Sequence, residues 1–291
     1  MQGKTGIFYQ PMSPAEHASV AVLGIPFDGT VSNRPGARFG PTAIREATLG
    51  IEDYSPYLDR DVSTVVLHDR GDLELPIGDT GKVLAAISRE YRELSGQCDR
   101  VIALGGEHLV SLPLIETMHE RYGDDLFLIQ FDAHADLRRE YLGVSRSHCS
   151  VMRHATDLIG RERVAVIGIR SGTGEEWTEL RTHPNFFGPL GQKPLDAFPS
   201  FVRETLPGRK VYLTIDLDVF DPSFLPGTGT PEPGGISFRD AMAMLQALAA
   251  ADIEIVGADL VELAPDYDHS GISAALAGTL LRELILLMGV A

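Results

Sequence analysis

Leu128-Ile129-Gln130-Phe131-Asp132-Ala133-His134-Ala135-Asp136 is an apolar run that closes on three alternating metal-type ligands. On an extended strand, positions i, i+2 and i+4 project to one side, so the spacing predicts Asp132, His134 and Asp136 on one face. Carboxylates at the end of a buried strand are costly unless paired or bound to a cation. Val211-Tyr212-Leu213-Thr214-Ile215 runs in the same way into Asp216-Leu217-Asp218. Two such strand ends in one chain point to a metal centre.

Similar apolar runs recur along the chain: Ser19–Ile25, Ser63–His68, Arg100–Leu104, Leu126–Asp132, Arg163–Ile169, Lys210–Asp216 and Ile253–Leu260. Helical patterning separates them, at Thr42–Leu49, Gly81–Ser95, Leu109–Tyr122, His148–Leu158, Gly174–Arg181, Phe238–Ala250 and Ile272–Met288. Ser237 reads as the N-cap of the Phe238 helix, and Asp79 or Thr80 as that of the Gly81 helix. Strands apolar on both faces, alternating with helices, predict an α/β fold on a mostly parallel sheet covered on both sides. No linker composition cuts the chain, which reads as one domain over residues 1–291. In such sheets ligands bind at the carboxyl ends of the strands. There lie Gly105-Gly106-Glu107-His108, Asp132–Asp136, Asp216–Asp218 and Glu262.

Composition narrows the function. A net charge of −16 over 291 residues argues against nucleic acid and favours a cationic ligand. Only Cys98 and Cys149 are present, so neither a disulfide framework nor a cysteine-rich zinc site is expected. Cys149 beside His148 is discounted as a nucleophile, because neighbours on a helix point apart. No signal peptide is read in the first twenty residues and no apolar run is long enough to span a membrane, so a reducing cytoplasm is expected. His17, His68, His119, His154, His183 and His269 lack any ligand context and read as surface or satisfied histidines.

His108, Asp132, His134, Asp136, Asp216 and Asp218 exceed the three protein ligands that one catalytic zinc takes. Shared between two ions with bridging carboxylates, they fit a two-metal site that activates water. Four carboxylates and two imidazoles without thiolate suit Mn²⁺, with zinc, Fe²⁺ or Co²⁺ as alternatives. Any one Asp-rich strand end is as readily a cap or a turn; the combination is not.

These motifs together resemble the ureohydrolase family, the arginase/agmatinase group, over nearly the whole chain. The resemblance rests on Phe131–Asp136, on Thr214–Pro222 with Pro226–Gly235, on Ser147-His148 and on Asp259–Pro265. Gly105-Gly106-Glu107-His108 is similar to the family's G-G-D-H, with Glu107 in place of Asp. The resemblance implies an arginase-like three-layer α/β/α sandwich on an eight-stranded sheet, with two Mn²⁺ ions. Carried over by position, His108, Asp132, Asp136 and Asp216 would hold one ion. Asp132, His134, Asp216 and Asp218 would hold the other, with Asp132 and Asp216 bridging. A hydroxide shared by the ions would attack a guanidinium held by Glu262. Asp136 would steady that hydroxide, and His148 would shuttle a proton or act as general acid. The family also implies a homo-oligomer, a trimer or hexamer.

Leu137-Arg138 stands where arginases resemble one another in Ile-Asn, so an arginine α-carboxylate lacks its holder. Gly24–Thr30, Arg34–Pro41 and Pro231-Glu232-Pro233 are similar to agmatinases. The expected reaction is therefore agmatine plus water to putrescine and urea. The alternatives are arginase, guanidinobutyrase or another guanidino acid hydrolase, a deacetylase-type amidohydrolase, and a catalytically silent binding or regulatory relative. Asp53–Tyr57 and the Arg138–Ser145 loop are the expected cleft walls.

Overall fold

The computed structural model describes residues 7–289; the first residues of the segment read for a signal peptide lie outside it. Its strands are β1 (Val20–Ile25), β2 (Tyr54–Ser55), β3 (Arg60–Asp61), β4 (Leu67–Asp72), β5 (Val101–Gly105), β6 (Leu126–Phe131), β7 (Val164–Ile167), β8 (Phe186–Phe187), β9 (Lys210–Asp216) and β10 (Glu254–Val261). Its helices are α1 (Gly40–Thr48), α2 (Thr80–Gln97), α3 (Ser111–Tyr122), α4 (Val151–Ile159), α5 (Gly174–Leu180), α6 (Phe198–Thr205), α7 (Phe238–Ala249) and α8 (Ile272–Met288). Eight strands form one sheet in the order β4-β1-β5-β10-β9-β6-β7-β8. All neighbours in it are parallel. β2 and β3 form a separate antiparallel pair.

Strand alternation divides the core into two layers. Phe127, Ile129 and Phe131 of β6 pack on one face, with apolar residues of α1, α6, α7 and α8. Leu126 and Leu128 pack on the other, with those of α2, α3, α4 and α5. The result is a three-layer α/β/α sandwich. The caps lie where the sequence places them: Asp79 accepts from the Lys82 N–H, and Ser237 with Asp240 forms a capping box. No helix among the described residues is long and apolar enough to cross a membrane.

Two expectations shift. The run Ser63–His68 is not a strand throughout, because Asp61 accepts from the N–H and hydroxyl of Ser63 and starts a 3-10 turn at Val62–Thr64. The strand begins only at Leu67 and continues through Asp69 and Arg70. Such polar residues are tolerated because β4 is an edge of the sheet. Asp53–Tyr57 is not a cleft wall either. Ser55 donates to Glu283 of α8, and Tyr57 stacks edge-on with Phe238 of α7.

The four central strands, β5, β10, β9 and β6, lead at their carboxyl ends to His108, Glu262, Asp216 with Asp218, and Asp132 with His134 and Asp136. The turn after β5 is tight enough to demand glycine. A Cβ at Gly106 would lie 1.8 Å from the Phe27 carbonyl oxygen. Gly106→Ala is expected to lose about 3 kcal/mol and to melt roughly 5–10 °C lower, measured by thermal unfolding.

Candidate metal centre

β6 stops at Phe131, so Asp132, His134 and Asp136 do not converge by strand alternation. They converge through turns. The Asp132 Oδ1 accepts the His134 N–H at 2.6 Å, and the Asp216 Oδ1 accepts the Asp218 N–H at 2.9 Å. The same aspartate turn thus closes both strands. Asp136 then takes a left-handed backbone, φ 51°, as does Glu262, φ 66°. Backbone strain of this kind gathers at functional sites. The Asp136–Leu137 peptide is held in it by Glu176, which accepts the Leu137 N–H, and by Arg153, whose backbone N–H reaches the Asp136 carbonyl.

Two groups of side chains result, His108 with Asp132 and Asp136, and Asp132 with His134 and Asp218. Asp132 belongs to both. The His108 Nδ1 lies 3.1 Å from Asp132 Oδ2, 3.2 Å from Asp136 Oδ2 and 3.4 Å from Asp216 Oδ2. Buried as it is, that nitrogen has no aligned hydrogen-bond partner among the described residues. Separations near 3 Å are those of neighbouring ligands around a divalent ion with bonds of about 2.1 Å. On the far side of the ring, the His108 Nε2 meets Thr214 Oγ1 at 2.9 Å. That hydroxyl donates to Asp259, which also accepts from Tyr212. This chain assigns the ring proton to Nε2 and leaves the Nδ1 lone pair facing the carboxylates. The His134 Nδ1 lies 2.9 Å from Asp218 Oδ2, and Asp218 also accepts from the Ala133 N–H and the Thr230 hydroxyl.

The charges suit a cation. Burial, then the charge of Asp132, pushes Asp136 up to about 7. Burial, then Asp218 and Asp132, pushes Asp216 well above the ordinary carboxylate range. Burial alone would lower His134, but Asp218 and then Asp132 raise it to about 10. These buried His and Asp groups can hold a metal. Without one, each raised group favours its protonated form in the folded chain. The contribution of Asp136 is full below its unfolded value of 3.8 and is lost as pH rises through about 7. That of His134 is full below 6.5 and is lost as pH rises through about 10. Chelator-treated protein should therefore melt below metal-loaded protein, with a gap that widens from about pH 6 to about pH 9. Differential scanning fluorimetry measures it; a gap that narrows with pH would contradict this electrostatic account.

Above the cluster lies a cavity of about 200 Å³ lined by His134, Asp136, Asp216 and Asp218 together with His148 and Glu262. Glu262 is anchored through Oε1, which accepts the His108 N–H at 2.8 Å. Burial, then Glu107, raises its carboxyl well above the usual range. His148 sits in the turn before α4, opened by a capping box at Ser147. Burial first, then the nearby histidines and Arg138, lowers it to about 4. All eight residues picked from the sequence thus surround one place. Arg138 and Tyr141, from the expected wall loop, line the cavity. Cys149 lines it too, but burial raises its thiol pKa, which is the wrong direction for a nucleophile.

With this geometry in place, the family model described as Arginase family matches residues 18–287. The chain belongs to the arginase family. Among its family relatives, the agmatinase of Halalkalibacterium halodurans is 44% identical over 283 residues, covering 96% of each chain. The N(1)-aminopropylagmatine ureohydrolase of Thermococcus kodakarensis is 38% identical, over 91% of this chain and 90% of that one. The solved proclavaminate amidino hydrolase of Streptomyces clavuligerus superposes with a TM-score of 0.86 at 30% identity, covering 98% of this chain and 97% of that one. This arginase-family chain is an agmatinase-like ureohydrolase. Sequence reasoning gave no role to Thr30, Ser32, Ser171, Thr214, Thr230 or Asp259. Thr30, Thr214, Thr230 and Asp259 lie inside motifs it quoted, which was the available signal.

Proposed function

We propose that the chain hydrolyses agmatine to putrescine and urea at a centre of two divalent ions, Mn²⁺ by donor chemistry. The observation that carries this is Glu262. It is a buried carboxylate tied down by one oxygen and facing the cavity beside two groups of possible ligands. A guanidinium pairs with such a carboxylate, which sets its carbon against the cluster. His108, Asp132, Asp136 and Asp216 would hold one ion, and Asp132, His134, Asp216 and Asp218 the other. When bound, the ions supply Lewis acidity that lowers the pKa of a water between them. The C–O bond forms at the guanidinium carbon, the bond to the alkyl nitrogen breaks, and that nitrogen leaves as an amine needing a proton.

His148, held near pH 4 by burial, is unprotonated at neutral pH. It is then a relay rather than a standing acid: it takes up a proton released on attack and passes it to the leaving nitrogen. Asp136 lines the same cavity and would accept a hydrogen bond from the attacking group.

Agmatine is favoured by the similarity to the agmatinase of Halalkalibacterium halodurans. A guanidino acid is the second reading, and Arg138 favours it. Among the residues lining the cavity, Arg138 is the one arginine or lysine, and it suits a carboxylate tail better than an ammonium. Its charge is tempered by Glu176 at 3.9 Å and by the Tyr141 ring beneath it. Urea release with manganese from agmatine, N(1)-aminopropylagmatine, 4-guanidinobutyrate and arginine decides the matter. Faster turnover of any rival sinks the agmatine reading.

A further inference from the structure

We propose that Glu107 is a positioning residue for this reaction, fixing through Thr30 where His148 and Ser32 stand over the reacting carbon. The inference rests on the reading of His148 as a proton relay.

Glu107 is fully buried, and no Lys or Arg pairs with it among the described residues. Burying a carboxylate in that way is costly, and an apolar side chain would fill the space more cheaply. Both of its oxygens reach Thr30. Oε2 accepts the Thr30 N–H at 2.7 Å, and Oε1 accepts the Thr30 hydroxyl at 2.5 Å. A hydroxyl has one hydrogen, so Thr30 Oγ1 meets its other neighbour as an acceptor. That neighbour is the backbone N–H of His148, at 3.0 Å.

Two residues further on, Ser32 Oγ lies 3.1 Å from the His148 Nε2. The same short segment thus holds His148 by its backbone and by its ring. The other ring nitrogen, Nδ1, is buried without a partner among the described residues, so Ser32 carries the ring's polar anchoring. The segment is itself fixed downstream, where Asn33 and Arg34 donate to the Gly229 carbonyl. Its upstream hold on the centre is Glu107.

The backbone of the turn that carries Glu107 serves the other two partners of the reaction. The Gly106 carbonyl accepts the Glu262 N–H at 2.8 Å, and the His108 N–H reaches the Glu262 carboxylate. One three-residue turn therefore sets a metal-type ligand, the guanidinium holder and, through the Glu107 side chain, the proton relay. Their separations are correlated by covalent geometry instead of being left to three independent loops.

The test uses Glu107→Gln, Thr30→Val and Thr30→Ser in the metal-loaded enzyme, with His148→Asn for reference. An amide cannot accept both Thr30 hydrogens, and valine has no hydroxyl. In Glu107→Gln and Thr30→Val, kcat should fall by about 10- to 100-fold while KM moves less than about threefold and metal content holds. Thr30→Ser should recover most of that turnover. Independently of activity, amide hydrogen exchange over residues 145–150 should quicken in Glu107→Gln and Thr30→Val but not in Thr30→Ser. Glu107→Gln added to His148→Asn should slow kcat little further, because both act through one group.

Unaltered exchange and unaltered kcat in Glu107→Gln and Thr30→Val overturn the clamp. So does a Glu107→Gln enzyme that loses metal while Thr30→Val turns over normally, which would make Glu107 structural support alone. A His148→Asn enzyme of full rate overturns the relay reading instead, whatever the exchange data say of the clamp.

Discussion

Asp132→Asn should empty both halves of the centre and lower urea release by about 1000-fold or more. The substitution keeps the shape of the side chain and removes its charge. Asp132 is the one residue common to the two groups, with Oδ2 3.1 Å from the His108 Nδ1 and Oδ1 3.8 Å from the His134 Nδ1. Loss of a partner that merely orients a ligand costs 10- to 100-fold in metal affinity or activity, so a ligand shared by two ions must cost more, on the order of 1000-fold. His134→Asn, which touches one group, should keep more bound metal than Asp132→Asn. Atomic emission on the purified variants, alongside urea release, gives both numbers. An Asp132→Asn protein that keeps its full metal content and a rate within about tenfold of the unsubstituted chain removes the shared-ligand model.

Glu262→Gln acts on the substrate side alone. The amide oxygen can still accept the His108 N–H, so the β10 end should stay in place. What is lost is the negative charge facing the cavity. Truncating one partner of a buried, hydrogen-bonded charge pair costs about 2–5 kcal/mol, so kcat/KM should fall by roughly 30- to 5000-fold. Metal content should not change. A loss under about threefold would mean that the guanidinium is held elsewhere.

Both residues were legible in the sequence, Asp132 for a physical reason. A long apolar strand that stops on a cluster of ionisable groups has few cheap explanations, and β6 and β9 both do so; Glu262 stands alone after β10 and was legible through the resemblance of Asp259–Pro265 to a family motif. The mode of convergence was not legible. Strand alternation put Asp132, His134 and Asp136 on one face, whereas the chain turns at Asp132 and passes through a left-handed residue at Asp136. Local carboxylate-to-backbone bonds outcompeted the strand, as they do wherever an Asp can accept from the N–H two residues on.

At the sheet margin, β8 is only Phe186–Phe187, too short to show any period. The short helix α6 is not among the expected helices; its Pro199 sits in the first turn, where a missing N–H costs nothing. Thr30 and Ser32 look like ordinary loop residues. Their place at the site depends on contacts with Glu107 and His148, 77 and 116 positions away, which no local pattern encodes.

The position of β10 governs the order in which this molecule can assemble. It is the last strand of the described chain, yet it lies in the middle of the sheet, between β5 and β9. Until it arrives, the strands synthesised earlier form two half-sheets with open inner edges, and an open edge is an invitation to pair with another chain. During synthesis those edges stay exposed until residues 254–261 have left the ribosome. Asp132, His134 and Asp218 all follow β6 and β9, on one side of that gap, whereas His108 follows β5 on the other, so the group containing His108 closes only when β10 is in place, and a nascent chain stalled before β10 keeps both edges open.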